Sequence, residues 1–345
     1  MKANIILLIF STLLTLIAAE VLLRAVGYYG ARGGRVESTI LVDDPILDYR
    51  FLPNSSYIKN NIEFATNSHG WRDIEHVVDK PYQTCRLLVL GDSVTFGYGV
   101  PMESAYSRIL DEQLASTLDF AIETITIGVS GANLEQEVHL LESEGLRYDP
   151  DLVVLGYVLN DPEVGTSLRA EMAQGQSFFA SVKEIAQYSS VANLIYKGGQ
   201  QAFWMLRVYL GSDVAADYVE TDYFNALHSN AEGRERIEAS FDRLKSIAAS
   251  SDRKYLVAIF PVFHELDDYA WTSIHDYVSD LALEAGLQVI DLLSAYAEYP
   301  ASELQVESGD HVHPNVLGHQ VAANALFEGL MERRSLESCI DDGLE

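Results

Sequence analysis

The chain predicts an α/β fold, a parallel sheet with helices on both faces. Five short apolar runs, at residues 87–90, 122–127, 151–159, 255–260 and 288–292, read as strands, and stretches of helical periodicity at 105–118, 134–146 and 316–333 alternate with them. Strands separated in this way by helices run parallel and are buried on both sides. The first run stops at Gly91-Asp92-Ser93, a turn that presents a hydroxyl at the carboxyl end of a strand, where open α/β sheets place their chemistry.

Taken in order, residues 5–23 are apolar or small apart from Thr, Ser and a single Glu20. A helix of that length rises about 28 Å, close to the hydrocarbon thickness of a bilayer. Lys2 precedes it, and Ala18-Ala19 runs into Glu20 and more leucine, a poor cleavage site, so residues 1–26 are expected to form an uncleaved membrane anchor rather than a removed signal segment. Arg24, Arg32 and Arg35 follow, and the positive-inside rule taken alone would keep them in the cytoplasm.

Residues 27–80 are rich in Gly, Pro, Asn and Tyr, with turn signals at 53–55 and 67–70 and a short strand at 62–66. This juxtamembrane lead is expected to pack on the core, with Asn67, Gly70 and Arg72 in structural roles. Between 161 and 250 the alternation of strand and helix stops. Helical stretches at 178–188, 200–210 and 234–249, with Phe203, Trp204 and several tyrosines, read as an insertion over about 163–250. It is either a lid over the carboxyl edge of the sheet or a helical extension of the core. Asn315 is placed to cap the last helix, and a tail follows residue 333.

With 345 residues, 48% of them hydrophobic, the chain can bury a full core. Its formal charge of −28 lacks the basic footprint that a nucleic-acid partner requires. Two cysteines, Cys85 and Cys339, make neither a disulfide framework nor a cysteine-rich metal site. Paired, they would tie the first strand to the C-terminal tail; unpaired, they are two thiols.

A serine hydroxyl is a weak nucleophile and needs a base, with a third group to orient that base. Asp310-His311-Val312-His313-Pro314 supplies both. Pro314 pushes His313 into an extended conformation, so Asp310 can accept from one ring nitrogen while the other faces Ser93. Donors for a developing oxyanion come from two further strand ends: the backbone of Gly128-Val129-Ser130-Gly131 and the side-chain amide of Asn160. Asp310, His311 and His313 could instead hold a metal, but no third imidazole or thiolate stands near them in sequence, so no metal is assigned. Asp92 reads as a turn residue making local hydrogen bonds, and His319 as part of the last helix's packing face.

In these four blocks, Gly91-Asp92-Ser93, Gly131, Asn160-Asp161 and Asp310 to His313, the chain resembles the SGNH hydrolases, also called GDSL esterases and lipases. The resemblance covers about residues 84–162 and 253–333. It implies a flavodoxin-like three-layer α/β/α sandwich, with Ser93 as nucleophile, His313 as base and Asp310 as its partner. The oxyanion hole it implies is made of the Ser93 and Gly131 backbone N–H groups and the Asn160 amide, with Gly128 second to Gly131. The chain departs from the family at Val158, where glycine often stands two residues before the asparagine, and at Thr126, near an asparagine ahead of the second block's glycines.

The chemistry implied is ester hydrolysis through an acyl-serine, on an acylated carbohydrate or a lipid ester, with no metal or organic cofactor. If a sugar hydroxyl rather than water resolves the acyl-serine, the enzyme is an O-acyltransferase for an extracytoplasmic polysaccharide. A non-catalytic carbohydrate-binding protein on the same fold is the remaining alternative. Family members with an N-terminal hydrophobic segment are typically exported, which places the hydrolase domain, 81–333, outside the cytoplasm and tethered by a single helix.

Overall fold

The computed structural model of the chain describes residues 2–25, 40–59, 61–163, 189, 191, 221–336 and 339. The chain divides into two compact units, Met1–Val36 with Leu168–Tyr218, and Glu37–Ser167 with Val219–Glu345. In the first, helix α1 (Lys2–Ala25) contains the apolar run, and Glu20 near its end bonds Arg24, the Ser189 hydroxyl and the Val191 N–H. Among the described residues no helix is long and apolar enough to cross a membrane. The helical stretches expected at 178–188 and 200–210 lie outside the described residues.

The second unit opens with two hairpins, β1 (Leu41–Asp44) with β2 (Asp48–Phe51), and β3 (Ser56–Lys59) with β4 (Ile62–Ala65). The turn signal at 67–70 is an Asx turn: the Asn67 side-chain oxygen accepts from the His69 and Trp71 N–H groups, both at 3.0 Å.

The core follows as β5 (Thr84–Gly91), α2 (Ser93–Phe96), α3 (Tyr106–Thr117), β6 (Ala121–Gly128), α4 (Leu134–Ser143) and β7 (Leu152–Val158). Further along the chain come α5 (Thr221–Ser229), α6 (Ala231–Ala249), β8 (Lys254–Phe260), α7 (Thr272–Glu284), β9 (Gln288–Asp291), α8 (Leu293–Tyr296), α9 (Ala301–Leu304) and α10 (Val316–Glu332). Strands β5 to β9 form one parallel sheet in the order β6-β5-β7-β8-β9, the flavodoxin-like arrangement, so the crevice where strand order reverses opens between β5 and β7.

Alternate side chains of the strands feed two cores. Leu88, Leu90, Ile127 and Leu155 pack with α4, α6 and α7, whereas Leu87, Val89, Val154 and Leu256 pack with α3 and α10. Three layers result, as expected. Asn315 does cap α10, accepting from the Gly318 N–H at 3.0 Å. Cys85 and Cys339 are disulfide-bonded, their Cα atoms 5.3 Å apart.

Two expectations need correction. The insertion does not run to 250: residues from Val219 onward belong to the same unit as the sheet, and α6 buries Ile237, Phe241 and Leu244 against it as the crossover from β7 to β8. A crossover helix and the helix of an insertion carry the same periodicity, so the pattern could not separate them. Between β8 and β9 the periodicity reading also omits α7, whose stripe of Ile274, Val278 and Ala282 is interrupted by a buried His275 bonded to Asp291 at 2.8 Å.

Candidate active site

Parallel register brings the site together. Gly91 at the end of β5 pairs with Gly128 of β6 on one side and Gly156 of β7 on the other, so the turns carrying Ser93, Gly131 and Asn160 all leave the same edge of the sheet. Backbone bonds join them: Val129 N–H donates to the Gly91 carbonyl at 3.1 Å, and Leu134 N–H to the Asp161 carbonyl at 3.2 Å.

Ser93 opens the one-turn helix α2, buried at the sheet's end. Asp92 caps that turn by accepting from the Val94 N–H at 2.8 Å, and its other carboxylate oxygen lies 3.2 Å from the Ser93 hydroxyl oxygen. The turn sits this close to the sheet because Gly128 has no side chain: a Cβ there would stand 2.4 Å from the Phe96 backbone nitrogen. Gly128, weighed in sequence as the second-choice oxyanion donor, therefore also has a steric role.

The C-terminal segment closes on Ser93 across the fold. His313 Nδ1 donates to Asp310, 2.8 Å from one carboxylate oxygen and 3.0 Å from the other, which leaves Nε2 to accept; the Ser93 hydroxyl stands 2.9 Å from it. Burial by itself would raise the Asp310 carboxyl, but the His313 ring and the His313 and Val312 N–H groups outweigh it and hold that carboxyl below its ordinary value. Asp310 is thus a charged acceptor fixed by four contacts. Ser93, His313 and Asp310, the candidate nucleophile, base and orienting carboxylate, stand in one hydrogen-bonded line.

Gly131, at φ +79°, shapes the turn after β6, and the Tyr49 phenol braces that turn by donating to the Ser130 carbonyl. The Asn160 side-chain oxygen is buried without a hydrogen-bond partner. His311 turns away from Ser93: its Nδ1 lies 2.8 Å from the Phe263 carbonyl, so it and His313 do not converge on a common point. His319 is fully buried, its Nδ1 accepting from the Tyr106 N–H at 3.2 Å, and burial pushes its imidazole down to about 3.

Three more residues bear on the site. Arg72, read from sequence as structural, grips the turn that follows the nucleophile, donating to the carbonyls of Phe96, Gly97 and Val100 at 2.6–2.8 Å. Its guanidinium lies 4.3 Å from the Phe64 ring centroid, and Phe51 stacks on Phe96 at 5.0 Å, so lead and α2 share one aromatic stack. Tyr98 packs on the His313 ring with centroids 4.6 Å apart, and Lys59 donates to the Tyr98 hydroxyl at 2.7 Å. Sequence reasoning passed over Tyr98 and Lys59; the only signal was an aromatic residue inside the Gly97-Tyr98-Gly99 turn.

The model of the GDSL-like lipase/acylhydrolase family matches residues 89–321. Among solved structures, LAE5, an alpha/beta hydrolase enzyme from the metagenome of Lake Arreo, Spain, is 18% identical, with 73% of this chain and 96% of that chain covered and a TM-score of 0.45. The lipase/acylhydrolase from Enterococcus faecalis is 14% identical over 72% of this chain and 96% of that chain, with a TM-score of 0.43. Axe2, an acetylxylan esterase from Geobacillus stearothermophilus, is 18% identical over 70% of this chain and 92% of that chain, with a TM-score of 0.40. No curated protein sequence matches the chain.

Proposed function

The chain belongs to the GDSL-like lipase/acylhydrolase family and is a carboxylic ester hydrolase, and we propose that it works through an acyl-Ser93 intermediate on the ester of an acylated carbohydrate or of a lipid. The observation that carries the mechanism is the Ser93–His313–Asp310 line. His313 Nε2 takes the hydroxyl proton as Ser93 Oγ attacks the ester carbon. The oxyanion forms beside the strand-end turns, where the Ser93 and Gly131 N–H groups and the Asn160 amide are the donors in this reading. On collapse His313 gives its proton to the leaving alcohol oxygen, and the acyl group stays on Ser93. A water molecule, deprotonated by His313 in its turn, attacks that acyl group and releases the acid, restoring the hydroxyl.

An oxidising location outside the cytoplasm belongs to the same proposal, supported by the Cys85–Cys339 disulfide. So does attachment to a membrane through the N-terminal segment, supported by the apolar run at 5–23.

A fluorophosphonate probe tests the mechanism. The folded wild type is expected to be labelled at Ser93 and Ser93→Ala to stay unlabelled, with ester turnover lost in step. Turnover that persists in Ser93→Ala, or a folded wild type that never reacts, would sink it.

A further inference from the structure

None of these steps uses the cleft beside His313. It lies between the β3–β4 hairpin and the loop after α9, encloses about 240 Å³, and is lined by Lys59, Ile62, Phe64, Tyr98, Val306 and Glu307 among others. Two of its walls touch the base: Tyr98 packs on the imidazole, and the Val306 N–H donates to the His313 carbonyl at 3.0 Å. Lys59 and Ile62 are paired directly across the hairpin, which turns both side chains to the same face.

The base marks which part of an ester belongs on this side. His313 delivers its proton to the leaving oxygen, so the alcohol part departs past the imidazole, while the acyl part remains on Ser93. We infer that the cleft is the subsite for the alcohol part and takes a sugar ring, an assignment that rests on the acyl-Ser93 reading above. Ile62 and Val306 offer apolar surface to the C–H face of a pyranose, and Tyr98 an aromatic edge. Lys59 and Glu307 bring a donor and an acceptor for hydroxyl groups.

Size narrows the ligand further. The cleft is smaller than the roughly 300–1,000 Å³ of sites for drug-sized ligands and matches a single ring in size. His313 does not itself line it, and Tyr98 does. The ring held there is therefore the neighbour of the acylated residue, and the favoured alcohol is at least a disaccharide. Lys59, Ile62 and Phe64 precede the span matched by the family model, 89–321, so this part of the specificity comes from the lead.

Hydrolysis of acetylated cellobiose, acetylated glucose and 4-nitrophenyl acetate by the full chain tests the assignment. The kcat/KM for the disaccharide ester should exceed that for the monosaccharide ester by about 10-fold or more, a difference of one ring contact. Ile62→Trp, which fills the cleft, and Lys59→Ala should each erase that preference, through KM more than kcat. A preference that survives both variants overturns the subsite, as does its absence in a wild type that turns over 4-nitrophenyl acetate. A folded wild type that turns over none of the three and takes no label at Ser93 overturns the acyl-serine reading instead.

Discussion

At the amino end of the sheet the buried Arg86 guanidinium bonds Glu123 at 2.7 Å and the carbonyls of Val77, Val78 and Tyr148 at 2.6–2.7 Å. Behind the turns at the carboxyl end, Glu137 is just as deeply buried, and neither of its carboxylate oxygens has a partner. The contrast extends to the neighbours of each. His76 bridges Glu123 and Asp73 at 2.7 and 3.0 Å; burial alone would lower its imidazole, but the two carboxylates outweigh that and raise it. Glu137 instead has Asp161 and Asp92 for neighbours, and burial first, then those two charges, push its carboxyl well above the ordinary range. Asp161 is raised in the same way, by burial and then by Asp92.

One end of the sheet thus stitches the lead to the core with matched charge, while the other crowds buried carboxyl groups beneath the Ser93 turn. Matched, hydrogen-bonded charge holds a structure together, and removing one member is costly. Crowded carboxyls are a feature of sites rather than of scaffolds. Substitutions at the two ends should therefore fail differently: those at the carboxyl end in activity, those at the amino end in stability.

The largest effect is expected at the carboxyl end. His313→Ala should lower kcat for ester hydrolysis by roughly 10⁵-fold with little change in melting temperature. A comparable loss of stability in that variant would erase the distinction. Asp310→Asn, which keeps the shape but no longer holds Nδ1–H in place, should cost roughly 10⁴-fold in kcat, read from single-turnover rates.

At the amino end, Arg86→Met should cost about 3–5 kcal/mol in urea unfolding, since it removes the one donor shared by Glu123 and the carbonyls of Val77, Val78 and Tyr148, while kcat per folded molecule is retained. If the same variant unfolds at the wild-type urea concentration, the network is not what ties the lead to the core.

The smallest effect sharpens the contrast. Folding raises the Glu137 carboxyl above its ordinary value of about 4.5, so the folded state keeps a proton that the unfolded chain releases. Its stabilising share is full below that value and is lost as pH climbs through the folded one. Glu137→Gln should therefore stabilise the protein by about 1–2 kcal/mol at pH 8 and by almost nothing at pH 4. Equal shifts in melting temperature at the two pH values would show that folding does not raise the Glu137 carboxyl.

Much of this was legible in the chain. The five core strands were readable because residues buried on both faces leave continuous apolar runs, and the Ser93, Asp310 and His313 motifs were readable because each is local. Arg72 was not, since its partners are the carbonyls of residues 96, 97 and 100, and a backbone oxygen leaves no mark on sequence. The departures at Thr126 and Val158 acquire a reason only in three dimensions. The Thr126 hydroxyl donates to the Ser107 hydroxyl of α3 at 3.0 Å, and the Val158 side chain is buried in the core shared with α3 and α10.

By itself the sequence determined the layer architecture, the order of the elements along the chain and the choice of Ser93 and His313 as candidate nucleophile and base, because periodicity and short motifs are properties of neighbouring residues. Only the tertiary structure decided that α6 is a crossover and not part of an insertion, that Arg72 and a phenylalanine stack hold the nucleophile's turn, and that three carboxyls share one buried space. Those outcomes depend on which surfaces meet across long stretches of chain, and pairing at that range is set by packing in three dimensions.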